Sequence, residues 1–200
     1  MVETVQASSY KVSRITGRLG YDSVPVAKIV DYPLERRDYR PFAQCILCMD
    51  EDALHLRMWA FEVSPQPASA LHCVLYPFAR QAGPGLKITV AHGEEHAVTA
   101  ACSLLRAEGE IPCDLGIATH PHNGEDLQGV YWGMSLDIPL ARLEQLGGET
   151  LLQSGKHFPG NFYKTGEAPG FTHMGSYFPA DFPDAPYSRR SMGEFHPTTY

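Results

Sequence analysis

Hydrophobic residues along this chain recur in short alternating runs rather than at helical spacing. The clearest is ALHLRMWAFE (53–62), where Leu54, Leu56, Met58 and Ala60 alternate with His55, Arg57, Trp59 and Phe61. A period of two puts those sets on opposite faces of a strand. The preceding run, PFAQCILCM (41–49), is apolar on both faces, as a central strand is. Acidic DED (50–52) between them reads as a hairpin turn. Further strands are expected at 71–78, 86–91, 96–103 and 127–138. In the last, Val130, Trp132, Met134, Leu136 and Ile138 alternate with Gly129, Tyr131, Gly133, Ser135 and Asp137. One short helix is expected, PLARLEQLGG (139–148), with Pro139 at its start, Leu140, Leu143 and Leu146 along a face, and glycines at its end.

Many short strands separated by turns predict an all-β fold: an antiparallel β-sandwich, immunoglobulin-like or jelly-roll in type, with one helix and a single domain over 1–200. From residue 158 onward the chain holds ten of its 21 aromatics. Disordered segments are poor in aromatics, so 158–200 is expected to be irregular chain packed onto the sandwich. Within it, HFPGNFYKTG (157–166) places Phe162 and Lys164 on one face if extended, and Asn161, Tyr163 and Thr165 on the other. Phe162 is expected to anchor inward, with the Lys164 stem beside it and its ammonium at the rim.

Composition narrows the function. A net charge of −7 without any Lys/Arg run excludes a general nucleic-acid surface. The N-terminal residues lack the pattern of a secretory signal, and no apolar run approaches membrane-spanning length. Five irregularly spaced cysteines read as reduced thiols, so a cytoplasmic, non-membrane protein is expected.

Three groups of residues carry candidate chemistry. The first is aromatic: sugars stack C–H faces on flat rings while their hydroxyls need fixed polar partners. Alternation puts Trp59 on the polar face of its strand beside Arg57, and Gly129 and Gly133 leave the Tyr131 ring uncovered. Arg57, Glu62, Asn161 and Tyr163 are candidate partners around such rings; Asn161, after Gly160, reads first as a turn-maker and only second as a rim amide. Trp132 is expected to face inward. The bland alternative covers Trp59 with the aromatic tail and packs Tyr131 on a neighbouring strand. The second group is THPHNGED (119–126), with His120, His122, Glu125 and Asp126, and AHGEEH (91–96), with His92, Glu94, Glu95 and His96. Both have the composition of loops and are weak metal candidates. Cys45 and Cys48 have zinc-like spacing but face opposite sides of a strand, so they read as core. The third is Glu62, at the end of an apolar strand, as a general acid or base, against a rim carboxylate paired with arginine. The chain contains no GxSxG, GxxxxGK[ST] or GxGxxG motif.

The segments LHLRMWAFEVSP (54–65), GEDLQGVYWGMSLDIPL (124–140), GNFYKTG (160–166), HMGSYFPADFP (173–183) and SMGEF (191–195) occur in that order. In this the chain resembles stand-alone bacterial proteins similar to family 9 carbohydrate-binding modules. The resemblance covers about residues 40–200 and implies a β-sandwich that binds sugar without catalysis. It also implies a structural calcium, and a sugar end held between two rings; here a two-tryptophan clamp would need both Trp59 and Trp132. The expected ligand is a carbohydrate or another polyhydroxylated molecule. The alternatives are an intracellular metal- or carboxylate-dependent enzyme on a sugar-like metabolite, or a scaffold or homodimer that buries the exposed rings.

Overall fold

The computed structural model describes residues 9–17, 20–38, 40–66, 68–80, 83–127, 129–170, 172–182 and 184–198. In chain order the strands are β1 (Ser9–Arg14), β2 (Ala27–Ile29), β3 (Phe42–Met49), β4 (Ala53–Glu62), β5 (Ser69–Leu75), β6 (Gly85–His92) and β7 (Val98–Arg106). They continue as β8 (Gly109–Pro112), β9 (Ala118–Asp126), β10 (Gly129–Pro139), β11 (Phe158–Gly166), β12 (His173–Ser176) and β13 (Gly193–Thr198). One α-helix, α1 (Leu140–Gly147), follows β10.

Hydrogen bonding runs through β8-β7-β6-β5-β11-β13-β1-β3-β4-β10-β9, with β12 on β11 and β2 on β3. Pairing is antiparallel except at β1, which runs parallel to both β13 and β3. The sheet curls until β10 packs against β6 and β7, and β9 against β7. The fold is therefore a mostly antiparallel sheet closed into a sandwich-like half-barrel, with one short helix. Among the described residues no helix is long and apolar enough to cross a membrane.

Alternation decides what the curl encloses. Leu54, Leu56, Met58 and Ala60 of β4 meet Trp132, Met134, Leu136 and Ile138 of β10 and Leu86, Ile88 and Val90 of β6 in one buried cluster. The hairpin turn at 50–52 is held by the Asp50 carboxylate, which accepts from the Asp52 and Ala53 amides at 2.9 and 2.8 Å. In α1, Leu140 and Leu143 are buried.

Two segments depart from expectation. Residues 119–126, loop-like in composition, form strand β9 against β10 from Ala118↔Asp137 to Asp126↔Gly129. An edge strand tolerates His, Asn and Glu because half of its backbone and most of its side chains face water. Residues 158–166, expected to be irregular, are strand β11, paired with β5 on one side and with β13 and β12 on the other. Among the described residues the expected irregular chain is found in a short link between β11 and β12 and in the longer stretch between β12 and β13. There Phe182, Tyr187 and Met192 pack over Val74, Tyr76 and Tyr163 on the outside of the sheet.

Candidate functional site

Directly paired residues on neighbouring strands share a face, so the register of β3, β4, β10 and β9 writes out their outer surface. One row across it reads Phe42, Phe61, Tyr131, Gly124. The next reads Gln44, Trp59, Gly133, His122, and the third Ile46, Arg57, Ser135, His120. The last reads Cys48, His55, Asp137, Ala118.

The lower two rows are partly covered. Ile15, Tyr21 and Val24, from the segment between β1 and β2, pack on Ile46 and Cys48. The Arg57 guanidinium lies 5.3 Å from the Tyr21 ring centroid, and its buried Nε has no hydrogen-bond partner. His122 Nε2 is 2.9 Å from the Ser135 hydroxyl. Burial, then the Arg57 and His120 charges, holds the His122 imidazole below its ordinary value. Burial would also depress His55, but carboxylates at 2.6 Å (Asp137) and 2.9 Å (Asp50) outweigh it and raise the imidazole.

The upper two rows are open. Phe42 and Tyr131 are 43% and 41% exposed, and Trp59 is half-buried, its ring 5.6 Å from that of Phe42 and tilted by 60°. A Cβ on Gly124 would lie 2.1 Å from the Tyr131 hydroxyl oxygen and 2.2 Å from Cζ. The Tyr131 ring therefore lies across the bare backbone of Gly124 and presents its other face outward. Gly133 matters for a different reason. A Cβ there would stand 2.1 Å from the Met58 carbonyl oxygen, so the glycine lets β10 approach β4 beneath Trp59. Trp59 and Tyr131 thus share one open face, which the register of β4 and β10 decides and alternation within either strand leaves open, and the aromatic tail lies elsewhere, on β5 and β11. Phe42 and Gly124 are not legible as site residues in the sequence because neither stands out within its own strand; only the cross-strand register joins them to Tyr131.

A second aromatic region borders a cleft of about 560 Å³ lined by Tyr76, Arg106, Tyr187 and Arg189. Its rings are already engaged: the Arg189 guanidinium sits 4.3 Å from the Tyr76 centroid and the Lys87 ammonium 4.4 Å from that of Tyr187.

The remaining candidates are internal. Trp132 is fully buried, as expected, and its indole N–H donates to Glu62 Oε1 at 2.9 Å. Glu62 is buried as well and pairs with Lys164 at 3.1 Å, not with an arginine at the rim. The Lys164 ammonium does not reach the rim either. It is fully buried among Ser69 Oγ (2.6 Å), the Thr165 carbonyl (3.0 Å) and His173 Nε2 (2.9 Å). Burial pulls it down to about 8 in spite of the Glu62 carboxylate. Asn161 is neither a turn-maker nor a rim group. Its amide donates to the Phe178 and Ser191 carbonyls at 3.0 and 2.8 Å, and its oxygen accepts from the Phe162 and Phe178 amides at 2.8 and 2.9 Å. Tyr163, fully buried, donates to the Pro186 carbonyl, also under the tail.

The fold matches that of known structures. A candidate carbohydrate-binding protein from Bacteroides uniformis superimposes with a TM-score of 0.71 at 12% identity, over 96% of this chain and 99% of that one. A family 9 carbohydrate-binding module from Caldicellulosiruptor kristjanssonii with bound cellotriose gives 0.64 at 12% identity, over 96% of this chain and 94% of that one. The same organism's family 9 module with bound glucose gives 0.59 at 12% identity, over 96% of both chains. This chain shares the fold of family 9 carbohydrate-binding modules. No family model and no curated protein matches the sequence.

For the structural calcium that the resemblance to family 9 modules implies, the described residues offer no grouped set of carboxylates. Among the described residues no three His, Cys, Asp or Glu side chains are grouped to hold a metal. His120 and His122 do share a face, but His120 Nε2 points to Asp137 at 3.6 Å while His122 is held by Ser135. Glu125 falls on the opposite face of β9; the side chain of Asp126 lies outside the described residues. His92 and His96 approach with centroids 5.6 Å apart, next to Trp132, without a third ligand among the described residues. Cys45 and Cys48 are separate buried thiols on opposite faces of β3.

His72 provides a pH test of the tail-covered side. Its nitrogens meet only hydroxyls, Thr89 Oγ1 and Thr165 Oγ1, both at 2.9 Å. Burial, then the Lys87 and Lys164 charges, pushes it down to about 3. The unfolded chain therefore binds a proton that the folded chain refuses. This contribution is intact above the ordinary histidine value and lost as pH falls from there toward 3. His72→Gln is expected to flatten the acid side of the stability–pH curve, measured by urea unfolding between pH 7 and 4; an unchanged slope would refute this.

Proposed function

We propose that this protein binds carbohydrate without catalysis, on the outer face of β3, β4, β10 and β9. The single observation that carries the reading is the Tyr131 ring laid over Gly124, beside Phe61 and Phe42 and next to Trp59. Rings held against a sheet offer flat apolar faces to sugar C–H groups, while Gln44, Arg57 and His122 supply polar groups along one side. The shared fold with modules that carry cellotriose and glucose supports the ligand class. Glu62, the candidate acid or base, faces the core and is neutralised by Lys164, which supports binding rather than chemistry.

Trp132 is sealed in the core, so changes in indole emission on adding sugar report on Trp59. Oligosaccharides are expected to alter that emission, and Trp59→Ala to abolish the change. Tyr131→Ala is expected to weaken binding roughly five- to tenfold, the worth of about one stacked ring. Calorimetry and a glycan array without binding to any sugar would end this reading. Light scattering showing a dimer whose formation is lost in Tyr131→Ala would favour a protein interface on the same face.

A further inference from the structure

We infer that Cys102 and Cys113 are the two halves of a reversible disulfide, a redox site that a low-molecular-weight disulfide such as oxidised glutathione closes and a small thiol reopens. This stands apart from the sugar-binding reading above. In the register of β7 and β8, Arg106 faces Gly109 and Ser103 faces Pro112. The next rung sets Cys102 opposite Cys113, and the Cys113 amide closes it by donating to the Cys102 carbonyl at 3.0 Å. Opposed residues share a face of the sheet, and a hydrogen-bonded rung holds their Cα atoms about 5.5 Å apart. That separation falls within the roughly 4.4–6.8 Å that disulfides span.

Access separates this pair from the other cysteines. Cys45, Cys48 and Cys73 are fully buried, whereas Cys102 and Cys113 are half-buried. Both border one cleft of about 400 Å³ between β7 and the start of β9, which is their route to a small oxidant. Burial, then the neighbouring thiol and Asp114, pushes the Cys102 thiol up to about 12, and burial with Asp114 raises Cys113. The attacking thiolate is therefore scarce at neutral pH, and the reaction quickens as pH rises.

In the first step one protein thiol loses its proton and attacks a sulfur of the small disulfide. One small thiol leaves and a mixed disulfide stays on the protein. The second protein thiolate then displaces the other small thiol. Two protein S–H bonds and one small S–S bond become one protein S–S bond and two small thiols, so the protein gives up two electrons and two protons to the small disulfide. The bond forms where the chain leaves one end of the sheet for the other: β8 and β9 are the two ends of the strand order, and residues 113–117 join them. In that link Leu115 is buried, and the Asp114 carboxylate accepts from the Gly116 amide at 2.8 Å. Tying Cys113 to Cys102 anchors the link to β7 and restricts the unfolded chain more than the folded one.

Incubating the folded full chain in glutathione buffers of rising oxidised fraction, at pH 7 and pH 8.5, then alkylating free thiols under denaturing conditions, tests this. Peptide mass mapping is expected to show one intramolecular bond, Cys102 to Cys113, with Cys45, Cys48 and Cys73 alkylated. It should form about tenfold faster or more at pH 8.5 and be reversed by dithiothreitol. Oxidation is expected to raise Tm by roughly 5–10 °C. Neither Cys102→Ser nor Cys113→Ser should show that rise, and each should instead take up one glutathione on the remaining thiol. The mapping uses the unaltered sequence, so it does not depend on either variant folding. A native chain that keeps all five cysteines alkylatable in fully oxidised glutathione overturns the inference. So does a bond that involves Cys45, Cys48 or Cys73, that joins two chains, or that lowers Tm.

Discussion

Replacing Lys164 by methionine is expected to destabilise the protein by about 3–5 kcal/mol, because it leaves the Glu62 carboxylate buried without its counter-charge. Glu62 would keep the Trp132 indole at 2.9 Å and the Ser69 hydroxyl at 2.8 Å, but two neutral donors do not replace an ammonium at 3.1 Å. The double variant Glu62→Gln/Lys164→Met is expected to recover more than half of the loss, since the glutamine still accepts from Trp132 and no charge remains buried. Urea unfolding of the four proteins measures the coupling. Because both partners are shielded from water, the coupling should hold between low and high salt, unlike that of a surface pair. A Lys164→Met loss under about 1 kcal/mol, the worth of an exposed pair, would mean that the pair is hydrated in solution.

The second large effect concerns Asn161. One amide satisfies four backbone groups, tying Phe178 and Ser191 of the tail to β11. Asn161→Asp keeps the shape but turns an acceptor, in place of a donor, toward two carbonyl oxygens. It is expected to cost about 3 kcal/mol or more, from buried groups left unpaired at about 1–3 kcal/mol each. Cleavage by a non-specific protease should then appear first between residues 177 and 192, where the tail has lost its clip, before global unfolding. Unchanged stability together with an unchanged cleavage pattern would show that the tail is held by ring packing alone. The Tyr163 contacts with Phe182 and Tyr187, both edge-to-face at 6.1 and 5.1 Å, are the packing that would have to suffice.

Both predictions fall within GNFYK, and that stretch shows how far the sequence is legible. Its alternation is plain, and Phe162 faces the core as expected. Lys164 also faces inward, but alternation cannot tell that Glu62, about a hundred residues earlier, will be there to receive it. Without that partner the reasonable expectation is an ammonium reaching for water. Asn161 following glycine has the local look of a turn, and only the return of the tail over β11 supplies three of the four backbone groups that make it a buried clip. The histidine-rich 119–126 stretch looks like a loop because edge strands need little apolar surface, and its pairing with β10 is a nonlocal fact.

The sequence by itself determined the strands of the hydrophobic hairpins, the inward face of Trp132, and the presence of Trp59 and Tyr131 on an outward face. Those follow from a period-two pattern read within one strand, which is local physics. The tertiary structure alone decided which strands neighbour one another. The order β3-β4-β10-β9 lines Phe42, Phe61 and Tyr131 into a row, and the curl closes Glu62 and Lys164 into the core. Register and closure depend on contacts between residues far apart in the chain. A candidate site assembled across four strands therefore exists only once the sheet is formed.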